Sequence, residues 1–185
     1  MIIEFGHFAL VLAFAVALFQ TAMPLYGATV GNHAIMRTAG PASFLQLLLL
    51  LISFAALTKA YVTSDFSVHN VWANSHSAKP FIYKVSGVWG NHEGSMLLWV
   101  LILAAFGAAV GLFGGNLPPG LKARVLSVQG SISVAFLLFL ITVSNPFTRI
   151  DIKSNINQGR KFAEIPTGLE EFEDGLLFYG DFCLP

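Results

Sequence analysis

The hydrophobic positions of this chain fall into four long, uninterrupted segments, approximately residues 7–25, 43–62, 95–113 and 125–143. A membrane-spanning helix needs about 20 apolar residues, because each residue rises about 1.5 Å through a hydrocarbon core about 30 Å thick. Each segment is close to that length. The strands of a membrane barrel would alternate apolar and polar residues, whereas Leu47 to Ile52 is a continuous apolar block. The pattern therefore predicts an all-α, polytopic transmembrane helical bundle of about four spans.

Composition supports a membrane location and excludes several classes of function. Hydrophobic residues make up 55% of the chain, charged residues only 11%, and the mean hydropathy is +0.70, so we expect lipid to be the main solvent. The formal charge is zero and no basic cluster is present, which argues against nucleic acid as a partner. Cys183 is the single cysteine, so neither an intrachain disulfide nor a cysteine-based zinc site is possible.

The connections between the apolar segments differ in length and chemistry. Two are short and rich in Gly and Pro, whereas residues 63–94, which we call the link, are longer and hold three of the five histidines and two of the three tryptophans. The chain turns polar over residues 150–185. Glu4 precedes the first apolar segment where a signal peptide carries Lys or Arg, so we expect that segment to remain as a helix. The link is the part of the chain in which functional chemistry is expected.

The densest group of polar and aromatic residues lies where the link meets the third apolar segment. We call residues 89–95 the lip. Its aromatic and glycine residues are typical of interfacial packing and a tight turn, with Ser95 as the cap of the helix that follows. Alternatively, an imidazole and a neighbouring carboxylate form a proton-handling pair or part of a ligand-contact surface. The candidate residues for that surface are Trp89, Gly90, His92, Glu93, Gly94 and Ser95.

Weaker candidates lie earlier in the link: Asp65, Trp72 and His76. A metal site built from the link histidines is not expected, because Asn, Ser and Pro residues favour a loop around residues 69–80 and neither HxxxH nor HExxH spacing is present. No nucleotide-binding or nucleophile-elbow motif is found either. The sequence therefore assigns no catalytic residue and no metal ligand.

The four apolar segments contain no Asp, Glu, Lys, Arg or His near the middle of the membrane. Such residues usually mark proton paths, ion sites and haem ligands, so the segments are expected to form a scaffold rather than a reaction centre. Gly107 and Gly111 form a GxxxG motif that predicts close helix packing. Gln20, Gln46 and Gln129 are candidates for hydrogen bonds between helices.

A family resemblance emerges from the run Trp89-Gly90-Asn91-His92-Glu93-Gly94-Ser95-Met96-Leu97-Leu98-Trp99-Val100-Leu101. It is preceded by Asn74-Ser75-His76 and Tyr83-Lys84 and followed by Ser144-Asn145-Pro146-Phe147. In this order and spacing, from Glu4 to about Arg149, the chain resembles the N-terminal region of the CcmF/NrfE family of cytochrome c haem lyases.

The resemblance implies a multi-pass protein of the bacterial inner membrane that acts in cytochrome c maturation. Such a protein receives haem from the chaperone CcmE and, with a CcmH-type subunit, attaches it to apocytochrome c. The resemblance also implies that the N-terminus and residues 63–94 are periplasmic. Counting Lys and Arg favours the opposite orientation, but that count depends on the basic residues from Arg149 onward: Arg149, Lys153, Arg160 and Lys161.

The resemblance ends near Arg149. The family's tryptophan-rich WWD segment and its histidine ligands for haem have no counterpart here, so no haem ligand is identified in this chain. We therefore expect it to act as a subunit or fragment beside the missing remainder of a haem lyase. Two alternatives stay open at this point: an inactive truncated membrane fragment, and a small helical membrane scaffold without haem chemistry.

Overall fold

The computed structural model describes residues 2–149, and over this range the chain forms seven α-helices and one short 3-10 helix. The polar segment predicted at residues 150–185 lies outside the described residues. The helices are α1 (Ile2–Val30), α2 (His33–Met36), α3 (Ala39–Val62), α4 (His69–Asn74), α5 (Phe81–Gly87), α6 (His92–Phe113) and α7 (Pro119–Thr142), with the 3-10 helix at Gly114–Asn116.

Four segments of this chain are long and apolar enough to cross a membrane: α1, α2 continued by α3, α6 continued by the 3-10 helix, and α7. The predicted all-α bundle with four spans is confirmed. α1 contains 29 residues, and at 1.5 Å per residue it is about 43 Å long, which exceeds the hydrocarbon thickness. A helix of that length either tilts or extends into the headgroup layer.

The helices begin earlier than hydropathy predicted. α6 starts at His92 rather than at residue 95, because the Asn91 side chain caps it by accepting a hydrogen bond from the Gly94 N–H at 2.7 Å. The prediction that Ser95 is the cap is wrong. α7 starts at Pro119, since proline suits the first turn of a helix. The stretch expected to be a loop around residues 69–80 contains α4.

The interior of the bundle is formed by side chains from all four spans. α1 packs against α3 and α7, and α6 packs against the same two helices. Fully buried leucines at the centre include Leu10, Leu57, Leu97 and Leu137. Large apolar side chains also cover the outward faces, as expected for helices that face lipid on one side and protein on the other.

Two glycines of α6 allow neighbouring helices to approach closely. A Cβ atom at Gly107 would overlap the side-chain amide of Gln129 on α7. A Cβ atom at Gly111 would lie 2.7 Å from Ser43 Oγ on α3. The two glycines therefore leave room for polar groups of two different helices.

The three glutamines within the bundle differ in their contacts. Gln20 Nε2 donates to the Leu126 carbonyl at 3.0 Å, and Gln129 Nε2 donates to the Leu103 carbonyl. Both bonds join separate helices. Gln46 is fully buried, and neither atom of its amide has a partner among residues 2–149. Two of the three glutamines thus make the interhelical hydrogen bonds expected from the sequence.

Candidate functional site

The link lies at the end of the bundle where α3 finishes, α6 begins, and the start of α1 meets the end of α7. We call this the link end. Val68 forms an isolated β-bridge with Arg149, and the His69 N–H donates to the Thr148 carbonyl at 2.9 Å. Arg149 also forms an ion pair with Glu4, with its Nη2 3.0 Å from Oε1. These contacts attach the link to both ends of the described chain.

A group of polar side chains, two of them buried and two half-buried, joins the link to the bundle. We call it the Tyr61 network, formed by Tyr61, Asn70, Asn91 and Glu93. The Asn91 side-chain amide donates to the Tyr61 hydroxyl at 2.8 Å, and the Tyr61 hydroxyl donates to the side-chain oxygen of Asn70. The Asn70 amide donates to Asn91 Oδ1 at 3.2 Å and to the Glu93 carboxylate. Tyr61 is fully buried and Asn70 is 2% exposed.

This network makes the link part of the folded bundle rather than a free loop. A buried polar group that loses its partner costs about 1–3 kcal/mol, so each member depends on the others. The Asn91 amide also donates to the Gly87 carbonyl at 3.0 Å, while its side-chain oxygen caps α6. One asparagine thereby connects α3, α5 and α6.

The lip contains one glycine that the backbone requires and one that it does not. A Cβ atom at Gly94 would overlap the Val88 carbonyl oxygen and lie 2.8 Å from its carbon. At Gly90 the nearest neighbour of such an atom would be the Ser86 carbonyl oxygen, at an ordinary distance of 3.5 Å. Gly94 is therefore needed for the tight turn into α6.

His92 and Glu93 contact different partners. The Glu93 carboxylate points into the Tyr61 network and accepts from Asn70. The His92 side chain is exposed and its ring packs edge-on against Phe139, with 6.1 Å between ring centroids. Ser95 Oγ donates to the His92 carbonyl at 3.0 Å. The geometry therefore gives the carboxylate a structural partner and leaves the imidazole at the surface.

The tryptophans of the link lie at the surface. Trp89 is 43% exposed and Trp72 is 44% exposed. The Trp72 ring lies beside His69, with centroids 6.1 Å apart. The link end therefore exposes two indoles and the imidazole of His92, rings that are each capable of stacking.

The two remaining weaker candidates are held in local turns. Asp65 Oδ1 accepts from the Ser67 hydroxyl at 2.6 Å and from the Ser67 N–H at 3.2 Å. His76 Nδ1 accepts from the Ala78 N–H at 3.1 Å. The structure therefore does not bring these two side chains into the Tyr61 network.

The three histidines of the link lie at the surface or in a local turn. Haem iron requires an axial ligand within an enclosing pocket. His69 and His92 are exposed, and one ring nitrogen of His76 accepts a backbone hydrogen bond. Between residues 2 and 149, no three His, Cys, Asp or Glu side chains are grouped so that they could hold a metal ion.

Sequence reasoning missed three members of the Tyr61 network. Asn91 lies within the lip but was not among the candidate residues. Tyr61 reads as part of an apolar span, and Asn70 reads as one of several loop amides. The available signal was the placement of asparagines close to the end of one span and the start of the next. Their partners are set by the tertiary fold of the link.

No family model matches the chain, but individual proteins do. The cytochrome c-type biogenesis protein Ccl1 of Rhodobacter capsulatus is 62% identical over 151 residues, covering 82% of this chain and 23% of the relative. The corresponding protein CcmF of Pseudomonas aeruginosa is 51% identical over 150 residues, covering 81% of this chain and 23% of the relative.

The fold has a match among solved structures. The cytochrome c haem lyase CcmF superposes with a TM-score of 0.76 at 27% identity, over 82% of this chain and 26% of that structure. The chain thus spans about a quarter of the length of the proteins it matches. Sequence identity, fold and four membrane spans agree: the chain is a multi-pass membrane homologue of the CcmF family of cytochrome c-type biogenesis proteins, and represents a partial segment of it.

Proposed function

We propose that this chain is the part of a cytochrome c haem lyase that carries a docking surface for haem or apocytochrome c. The observation that supports this most is the construction of the link end. A partly buried polar network joins the link to α3 and α6, while Trp72, Trp89 and His92 stay at the surface. A rigid aromatic surface suits a flat porphyrin or an unfolded peptide, because little conformational entropy is lost on binding.

In this proposal the chain and the remainder of the haem lyase have different roles. This chain orients and exposes the aromatic surface, and the remainder of the haem lyase supplies the ligands for haem. The partners we propose are the haem chaperone CcmE, a CcmH-type subunit, apocytochrome c and that remainder. Glu93 acts as a structural anchor in this scheme, because its carboxylate is occupied by Asn70.

The proposed orientation places the N-terminus and the link in the periplasm, with the chain in the bacterial inner membrane. A single cysteine at Ser67, in a Cys183→Ser background, tests this placement. A membrane-impermeant maleimide should label it in intact cells. The matched control is His33→Cys, at the exposed start of α2 near the opposite end of the bundle, which should react only after permeabilisation. The reverse pattern would refute the orientation.

The functional proposal is tested by expressing the tagged chain together with a family protein from which the matching segment has been removed. The host should lack its own CcmF. We expect the two parts to co-purify and to restore covalently bound c-type haem, measured by haem staining. If both parts are present in the membrane but neither co-purify nor restore c-type haem, the chain is a bundle without this role.

A further inference from the structure

Helix α5, within the link, exposes large apolar side chains. The proposed docking of haem or apocytochrome c does not explain this exposure. The helix begins with three consecutive large apolar side chains: Phe81, Ile82 and Tyr83. These are 65%, 77% and 65% exposed. None of the residues of α5 is buried. A helix that exposes such a surface to water would lose the hydrophobic free energy that normally holds a helix in place.

The contacts of α5 lie at the end of the second span. It packs against α3, and Gly87 faces the ring of Tyr61, to which a Cβ atom would come within 3.4 Å. Lys84 Nζ donates to Ser64 Oγ at 2.7 Å. Tyr61 lies in the last turn of α3 and Ser64 follows it, so α5 lies beside the end of the second span.

The charge of this stretch favours one particular occupant. Residues 76–92 include Lys79 and Lys84 but no Asp or Glu. Basic side chains flanking apolar and aromatic ones are characteristic of segments that lie in the headgroup layer of an anionic membrane.

We propose that α5 is an interfacial helix that inserts Phe81, Ile82 and Tyr83 into the lipid surface on the link side. Lys79 and Lys84 flank these three residues, and their ammonium groups, which donate to the Asn74 carbonyl and to Ser64 Oγ, have further N–H groups for anionic headgroups. This contact anchors the link from outside, as the Tyr61 network anchors it from inside. The inference does not depend on the proposed haem lyase role, because it concerns lipid alone.

Spin labelling of the full chain in vesicles tests the proposal. A nitroxide is attached at Ile82→Cys in a Cys183→Ser background, and its collisions with oxygen and with a water-soluble nickel chelate are measured. The control is Ala78→Cys, an exposed position in the turn before α5. In vesicles of phosphatidylcholine and phosphatidylglycerol, we expect the oxygen-to-nickel ratio at position 82 to exceed that at position 78 several-fold.

The outcomes separate lipid from other occupants. A ratio at position 82 equal to that at position 78 means that α5 lies in water and overturns the proposal. Protection of position 82 from both reagents means that protein covers it, for example a second copy of the chain, and also overturns the proposal. The ratio should fall in pure phosphatidylcholine and in a Lys79→Gln, Lys84→Gln variant. Identical ratios with and without anionic lipid would overturn the assignment to an anionic surface.

Discussion

Replacing Gly94 by alanine gives the sharpest test of how the lip is built. The added Cβ atom would overlap the carbonyl oxygen of Val88 and lie 2.8 Å from its carbon. Both are backbone atoms, which cannot rotate aside as the tip of a side chain can. Either the turn at Val88 or the start of α6 must therefore shift, and the cap from Asn91 to the Gly94 N–H, now 2.7 Å long, is disturbed.

The expected cost follows from three contributions. Overpacking against a rigid neighbour costs about 1–3 kcal/mol, and loss of the helix cap costs about 1 kcal/mol. Alanine is favoured over glycine within a helix by about 1 kcal/mol, which offsets part of this. We therefore expect Gly94→Ala to lower the free energy of unfolding by about 1–3 kcal/mol.

Gly90→Ala is the matched control within the lip. Its Cβ atom would have no neighbour closer than 3.5 Å, so the expected change is below about 0.5 kcal/mol. Unfolding in mixed micelles by titration with SDS, followed by far-ultraviolet circular dichroism, measures both variants. Equal stabilities of Gly94→Ala and Gly90→Ala would refute the tight turn described for residues 88–94.

Three further substitutions probe other contacts by the same titration. Gly107→Leu should lower the free energy of unfolding by about 1–3 kcal/mol, because the new side chain displaces the Gln129 amide. Asn70→Ala should cost about 1–3 kcal/mol, because it leaves the buried Tyr61 network without its central donor. Lys122→Met should cost less than about 1 kcal/mol, because it removes one hydrogen bond to the Gly111 carbonyl at the end of α6. A loss for Lys122→Met as large as that for Asn70→Ala would contradict this ranking.

The spans could be predicted from the sequence because the bilayer imposes one requirement on every spanning helix, namely apolar length. Their first residues could not be predicted in the same way. α6 begins at His92 because Asn91 caps it, and α7 begins at Pro119. Hydropathy does not detect either effect, since both involve polar or helix-breaking residues outside the apolar segment.

The chemistry of the link end was only partly accessible from the sequence. The run from Trp89 to Ser95 identified where the polar and aromatic residues gather. The separate directions of His92 and Glu93 depend on where Asn70 and Phe139 lie in the fold. The Tyr61 hydroxyl donates a hydrogen bond to the Asn70 side chain, nine residues further along the chain, because the start of α4 lies against the end of α3. No helical or strand periodicity in the sequence predicts that contact.

The central claim is that the exposed aromatic surface of the link end serves cytochrome c maturation. Its most direct test compares Trp89→Ala with Trp99→Ala in cells that express this chain beside the remainder of a CcmF-family protein. Trp99 is 66% exposed but lies within α6, outside the lip. At equal amounts of chain in the membrane, we predict that Trp89→Ala reduces covalently bound c-type haem several-fold and that Trp99→Ala leaves it unchanged. Equal c-type haem in the two variants would contradict the claim.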